Sequence, residues 1–333
     1  MGGFSKSFRA YVIDKTTNRY LYHKLYAMSE VSCLVPPFLK PGNRILLLSP
    51  SGNMATEPVV AAANVLRSLG YQVELSRHAL GCAGIFSGTD NERLADLQAA
   101  LDRPDVAAIW CIRGGYGAMR IIDRLDFSGF MKHPKWLIGF SDITVLHAAF
   151  QKMGVASLHG PMMKHISDYG ATDLDLRRTI DLMQGIHSSV DAEAGWLSRC
   201  GHATGVLVGG NFSLLYALRG TPYDFNPEGK ILFMEDLSEY HYHLDRMMQN
   251  LRLGGVLERL SGLVVGQFTD MKDGATPYGA DAYGIIAEAV GGYGYPVWFG
   301  FPAGHDHPNC PLLLGARVNL SVEVGRGCLG YVD

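Results

Sequence analysis

The chain has 333 residues, roughly two domains of ordinary size. Hydrophobic residues make up 47% and charged residues 18% of it, which excludes a disordered, fibrous or coiled-coil protein. Its 29 Lys+Arg stand against 32 Asp+Glu for a net charge of −3, and the basic residues are scattered, which argues against a nucleic-acid partner.

Residues 1–40 read as a leader ahead of a folded domain that starts near Pro41. Arg9, Asp14, Lys15, Arg19, His23 and Lys24 interrupt any apolar export segment, and Lys6 stands where a myristoylation motif needs Ser or Thr. No run approaches the ~18 apolar residues of a membrane span. Six widely spaced cysteines (Cys33, Cys82, Cys111, Cys200, Cys310, Cys328) form neither a CxxC pair nor a disulfide framework, so free thiols in the cytoplasm are expected.

From Arg44 the sequence alternates apolar runs with amphipathic stretches. ILLLSP (45–50) precedes a helical pattern over 56–69, VEL (73–75) a helix over 91–102, and VAAIWCI (106–112) a helix over 117–125. WLIGF (136–140), a helix over 142–153 and ASLHGP (156–161) follow. Strands buried on both faces read as continuous apolar runs, and interleaved helices imply parallel pairing. The first half, 41–165, is therefore expected to be an open parallel-sheet α/β domain. Residues 166–204 form a more polar junction with a helix-like stretch over 172–184. Residues 205–333 then carry GVLVGG (205–210), KILFMED (230–236), a helix over 239–252, LVVGQF (263–268) and PVWFGF (296–301). They read as a smaller, mixed α/β or β-rich domain.

Trp136 to Leu146 runs from a buried strand through Gly139-Phe140-Ser141 into a helix. That is the context of a nucleophile elbow, in which glycine permits the tight turn and the serine hydroxyl stands at the carboxyl edge of the sheet. Ile143 replaces the second glycine of that motif, and Ser or Asp ahead of an apolar helix is also an ordinary N-cap. A nucleophilic serine needs a base and an orienting acid. Glu235 follows the strand 231–234 and His305 follows Phe301-Pro302-Ala303-Gly304, giving the order Ser, acid, His, although each is also explicable as a surface carboxylate and a turn histidine. CIRGGYGAMR (111–120) offers bare amides at Gly114 and Gly115 for an oxyanion, lacks the spacing and lysine of a phosphate loop, and carries Arg113 as a candidate for a substrate carboxylate. Gly325 to Gly330 forms a GxGxxG with no helix after it and reads as chance. His241-x-His243 and His305-x-His307 are the possible metal motifs. Arg246 breaks the first, and helical histidines two apart point about 200° apart, so no metal is expected there, and a serine–histidine–acid mechanism requires neither a metal nor an organic cofactor.

SPSG (49–52), RGGYG (113–117), GFSDIT (139–144), HGPM (159–162), GGN (209–211), LFMED (232–236) and GHDHP (304–308) followed by PLLLGA (311–316) together resemble the serine LD-carboxypeptidases, or muramoyltetrapeptide carboxypeptidases. The microcin C self-immunity hydrolases belong to the same family. The resemblance runs in order from about Pro41 to the C-terminus. It implies Ser141 as nucleophile, Glu235 as triad acid, His305 as base, and the amides of Asp142, Gly114 and Gly115 as the oxyanion hole, in a groove between the two domains. It implies a cytoplasmic enzyme that releases the terminal D-alanine of murein tetrapeptide (L-Ala-γ-D-Glu-diamino acid-D-Ala) in peptidoglycan recycling, acting on a small peptide as a homodimer with no nucleic-acid or membrane partner. The RGGYG form and the short junction favour this murein branch over a peptidyl-nucleotide amidase. A ligand-binding protein that keeps the fold without the chemistry is the alternative of a different class.

Overall fold

The computed structural model describes residues 33–332. β1 (Arg44–Leu48) leads through α1 (Thr56–Ser68) to β2 (Gln72–Leu75), α2 (Asp90–Asp102) and β3 (Val106–Cys111). After α3 (Ser128–Lys132) come β4 (Trp136–Gly139), α4 (Thr144–Lys152), β5 (Ser157–His159), α5 (Met163–Tyr169) and α6 (Leu174–Met183). Continuous apolar sequence makes these strands central: Ile45, Leu46, Leu47 and Leu48 are each buried, and apolar clusters cover both faces of the sheet. The capping box of Thr89 and Glu92 starts α2, and Asp173 caps α6 through the amide of Leu176.

The second half contains β6 (Val190–Glu193), β7 (Gly201–Asn211), α7 (Phe212–Ala217), β8 (Lys230–Leu237), α8 (His241–Leu253), β9 (Gly262–Thr269) and α9 (Ala282–Ala289). It ends with β10 (Val297–Phe299), β11 (Leu312–Leu314), β12 (Arg317–Glu323) and β13 (Arg326–Tyr331). Two sheets result, ordered β11-β5-β4-β3-β1-β2 and β10-β9-β8-β7-β12-β13-β6. Pairing is parallel from β5 to β2 and from β10 to β7, and antiparallel elsewhere.

Four differences from the sequence reading have physical causes. The helix expected over 117–125 is two short 3-10 turns, Ala118–Arg120 and Ile122–Arg124. There the amide of Ala118 is taken by the Asp142 carboxylate, and Leu125 is already extended. Of the expected leader, residues 1–32 lie outside the described residues, whereas 33–40 pack on the fold: Leu39 is buried and the carbonyl of Pro37 accepts the indole N–H of Trp136. The junction 166–204 supplies β6 to the second sheet. Finally, β11 pairs antiparallel with β5, so one strand of the second half belongs to the first sheet. Side chains alternate across a strand. Leu313 of β11 therefore joins the core of the first sheet while Leu312 and Leu314 join that of the second, and Cys33 onward forms one compact unit. The glycine pattern at 325–330 falls in the β12–β13 hairpin.

Candidate active site

β4 ends at Gly139, and the chain turns through Phe140 to Ser141, whose φ of 62° lies in the left-handed region that a serine rarely adopts. A Cβ on Gly139 would sit 2.9 Å from Ile143 Cγ1, so the turn closes only with glycine there. The short 3-10 turn Ser141–Ile143 then feeds α4. The cap positions of this turn and of α4 are Phe140 and Ile143, so Ser141 does not stand where an N-cap would. The neighbouring Asp142 side chain turns inward instead, accepting Ser51 Oγ–H at 2.6 Å and the Ala118 amide at 2.8 Å. It thus fixes the SPSG and RGGYG turns around the serine. Burial raises the Asp142 pKa above the ordinary carboxylate value, and the Ser51 and Ala118 hydrogen bonds only partly offset that.

Gly114 lies against this elbow: a Cβ on it would come within 2.8 Å of Ser141 Cβ and 3.2 Å of the Asp142 amide nitrogen. The Gly114 carbonyl accepts the Gly52 amide, and Gly115 follows at φ 91°. Gly114 thus packs directly against the Ser141 side chain and the Asp142 amide. Arg113 lines the same groove and donates to the Asn53 carbonyl.

The second sheet supplies the other side. Glu235, on β8, has no exposed surface. Its Oε2 accepts His305 Nδ1–H at 2.7 Å, and His305 Nε2 lies 3.1 Å from Ser141 Oγ. The Glu235 bond fixes the tautomer and leaves Nε2 free to accept the serine proton. Phe140 packs edge-on to the imidazole at 5.0 Å between ring centroids. Burial pulls the His305 pKa down, but the charge and hydrogen bond of Glu235 outweigh it, and the net direction is upward.

The groove between the sheets has a volume of about 620 Å³ and includes Arg113, Ser141, Asn211, Asp236 and His305 in its lining. Sequence reasoning did not single out Asn211 or Asp236 as site residues, although both fall inside the quoted GGN and LFMED motifs. Asn211 Nδ2 donates to Asp236 at 2.9 Å, and the Asn211 amide donates to Thr144 Oγ1 of α4 at 3.0 Å, tying the halves together behind the serine. Burial first, and the adjacent Glu235 charge second, push Asp236 up to about 7. The histidines of the 241–243 pair diverge, His241 toward Asp273 and His243 toward Glu239.

Residues 45–160 match the LD-carboxypeptidase N-terminal domain and 204–320 the LD-carboxypeptidase C-terminal domain. The "Probable murein peptide carboxypeptidase" of Bacillus subtilis (strain 168) is 34% identical over 86% of this chain and 91% of its own length. The "Murein tetrapeptide carboxypeptidase" of Pseudomonas aeruginosa is 31% identical over 80% and 89%. The "Microcin C7 self-immunity protein MccF" of Escherichia coli is 25% identical over 71% and 77%. Among solved structures, muramoyltetrapeptide carboxypeptidase from Oxalobacter formigenes superposes with a TM-score of 0.79 at 30% identity, covering 87% of this chain and 99% of that one. MccF in an apo state superposes with a TM-score of 0.80 at 21% identity over 90% and 100%, a likeness of fold alone. Fold and relatives define a serine carboxypeptidase. This chain belongs to the LD-carboxypeptidase family, peptidase S66.

Proposed function

We propose that the enzyme removes the terminal D-alanine from murein tetrapeptide in peptidoglycan recycling, through an acyl-enzyme on Ser141. The observation that carries this reading is the chain of contacts from Ser141 Oγ to His305 Nε2 at 3.1 Å and from His305 Nδ1 to Glu235 at 2.7 Å. His305 takes the Ser141 proton as Oγ attacks the carbonyl of the L-centre. The amides of Asp142, Gly114 and Gly115 hold the oxyanion, and Glu235 orients the imidazole and offsets its charge. His305 then gives the proton to the departing D-alanine amine, water enters, and hydrolysis of the ester frees the serine. No metal takes part at the reacting atoms. Arg113 at the groove is the cation for the substrate carboxylate. We place the enzyme in the cytoplasm, consistent with six free cysteines, and expect a homodimer, which light scattering checks.

The test is a paired kcat/KM measurement on the tetrapeptide ending in D-alanine and on its L-alanine epimer. In the wrong epimer the terminal methyl and carboxylate exchange places, leaving polar groups unpaired at about 1–3 kcal/mol each, so discrimination on the order of a hundredfold is expected. Equal rates would refute a dedicated LD-carboxypeptidase. The relationship to MccF supports a second reading, a peptidyl-nucleotide amidase. A peptidyl-aspartyl-nucleotide analogue as third substrate decides it, since preference for that compound would move the chain to the microcin branch.

A further inference from the structure

A second constellation stands at the mouth of the groove, on residues that the proposed reaction does not use. His165 lies on α5, Asp173 caps α6, Asp175 sits in its first turn, and His307 comes from the loop that carries His305. One ligand atom from each, an imidazole nitrogen or a carboxylate oxygen, lies within 4.8 Å of all the others. His165 Nε2 is 3.0 Å from Asp173 Oδ2 and 3.8 Å from Asp175 Oδ2, and His307 Nε2 is 3.2 Å from Asp173 Oδ1 and 4.0 Å from Asp175 Oδ2. Zinc binds nitrogen and oxygen at about 2.0–2.2 Å, so a tetrahedron of such ligands has edges of about 3.3–3.6 Å, within the span of these separations.

We propose that His165, Asp173, Asp175 and His307 bind one divalent cation of the zinc class, which clamps the His305 loop onto the first half of the molecule. The ligand types argue for that class, since two imidazoles with two carboxylates suit zinc better than the all-oxygen shells of magnesium or calcium. Charge balance agrees, because two buried carboxylates, two neutral imidazoles and a divalent ion sum to zero. The Asp173 and Asp175 side chains are only 4% and 2% exposed, so their charges need a partner inside the protein. Their outer contacts are set as metal sites require: the Leu176 amide donates to Asp173 at 2.8 Å and the Asn309 amide to Asp175 at 2.7 Å. Tyr169 stacks on the His307 ring at 4.1 Å and so fixes its plane. Four protein ligands close the shell, as in structural rather than catalytic zinc sites. The expectation of no metal, drawn from the His-x-His pairs, is revised here: only His307 of those four histidines takes part, and its partners come from α5 and α6.

The experiment uses the full chain, stripped with a chelator and titrated with Zn²⁺. One zinc per chain, removed by chelation and restored on reloading, is expected by elemental analysis and calorimetry. At about a hundredfold excess over Kd, Tm should rise by about 5 °C. Co²⁺ in place of zinc should give the strong visible absorption of a tetrahedral site. His307→Ala, at a half-exposed position that tolerates truncation, and Asp175→Asn should each weaken zinc binding by more than about tenfold and abolish the cobalt spectrum. Wild type without stoichiometric zinc, or variants that bind zinc as tightly as wild type, would overturn the proposal and leave the cluster as two imidazole–carboxylate pairs. Because the readout is metal binding, failure here leaves the proposed serine reaction untouched.

Discussion

Each sheet carries one end of the proposed triad at a central parallel strand, Ser141 after β4 and Glu235 on β8, yet the two are held by different physics. On the first sheet the backbone does the holding: Ser141 sits at φ 62°, Gly139 and Gly114 leave no room for a Cβ, and the serine side chain contributes little packing. On the second sheet burial does it: Glu235 is fully enclosed and its charge is matched by one imidazole delivered from a loop. A group held by its backbone is truncated at little cost in stability, whereas a group held by burial cannot be removed without leaving its partner exposed to the lost interaction.

The largest expected effect follows from the first half of that contrast. Ser141→Ala should lower kcat by on the order of 10⁴ to 10⁶ while stability stays within about 0.5 kcal/mol of wild type. Retention of more than about a tenth of the activity would rule out Ser141 as nucleophile. Glu235→Gln should cost about 10⁴ in kcat by disturbing the His305 tautomer. Glu235→Ala, unlike the serine variant, should also destabilise the fold by on the order of 3 kcal/mol in denaturant titrations. If the two alanine variants proved equally stable, the contrast between backbone and burial would fail.

Gly114→Ala probes the backbone side without touching a reacting side chain. Its new Cβ would stand 2.8 Å from Ser141 Cβ, so the elbow or the amides proposed to hold the oxyanion must shift. A loss of about 10² to 10³ in kcat is expected, with KM little changed, and stopped-flow kinetics on the tetrapeptide checks it. A variant at wild-type kcat would show that the glycine turn serves folding alone.

The smallest effect is in pH. His305 must be neutral to act as base, and Glu235 raises its pKa, so kcat/KM should fall about tenfold per pH unit below a midpoint that lies above the ordinary imidazole value of 6.5. A midpoint below 6.5 would contradict the Glu235 pairing. Stability has a different acid limb. Burial lowers His147 to about 4 and His159 to about 3. Both stay neutral in the folded state while the unfolded chain protonates them below 6.5, so stability should be lost as pH falls from 6.5 toward 4. His159→Leu should flatten that limb.

Strand interiors such as 45–48 and 231–234 were legible because a strand buried on both faces has no choice but apolar sequence. The elbow was legible too, since strand, glycine, serine and helix are contiguous. β11 was not, because three leucines beside a proline satisfy the cores of both sheets at once and carry no mark of which sheet they join. Nor was the cluster at His165, Asp173, Asp175 and His307: the two aspartates read as the polar start of a helix, and their histidine partners stand 8 and 134 residues from Asp173.

The sequence by itself determined what is local: buried strands, capped helices, a glycine-bounded serine turn, and motifs whose order matches a family. Only the tertiary structure decided what is non-local. Ser141 and His305, 164 residues apart, meet at hydrogen-bond distance because two sheets face each other, and His305 and Glu235, 70 apart, meet because a loop folds back over β8. The reason is physical: backbone turns and periodic burial are written in neighbouring residues, whereas the meeting of distant side chains depends on how whole layers pack, and no short stretch of sequence encodes that.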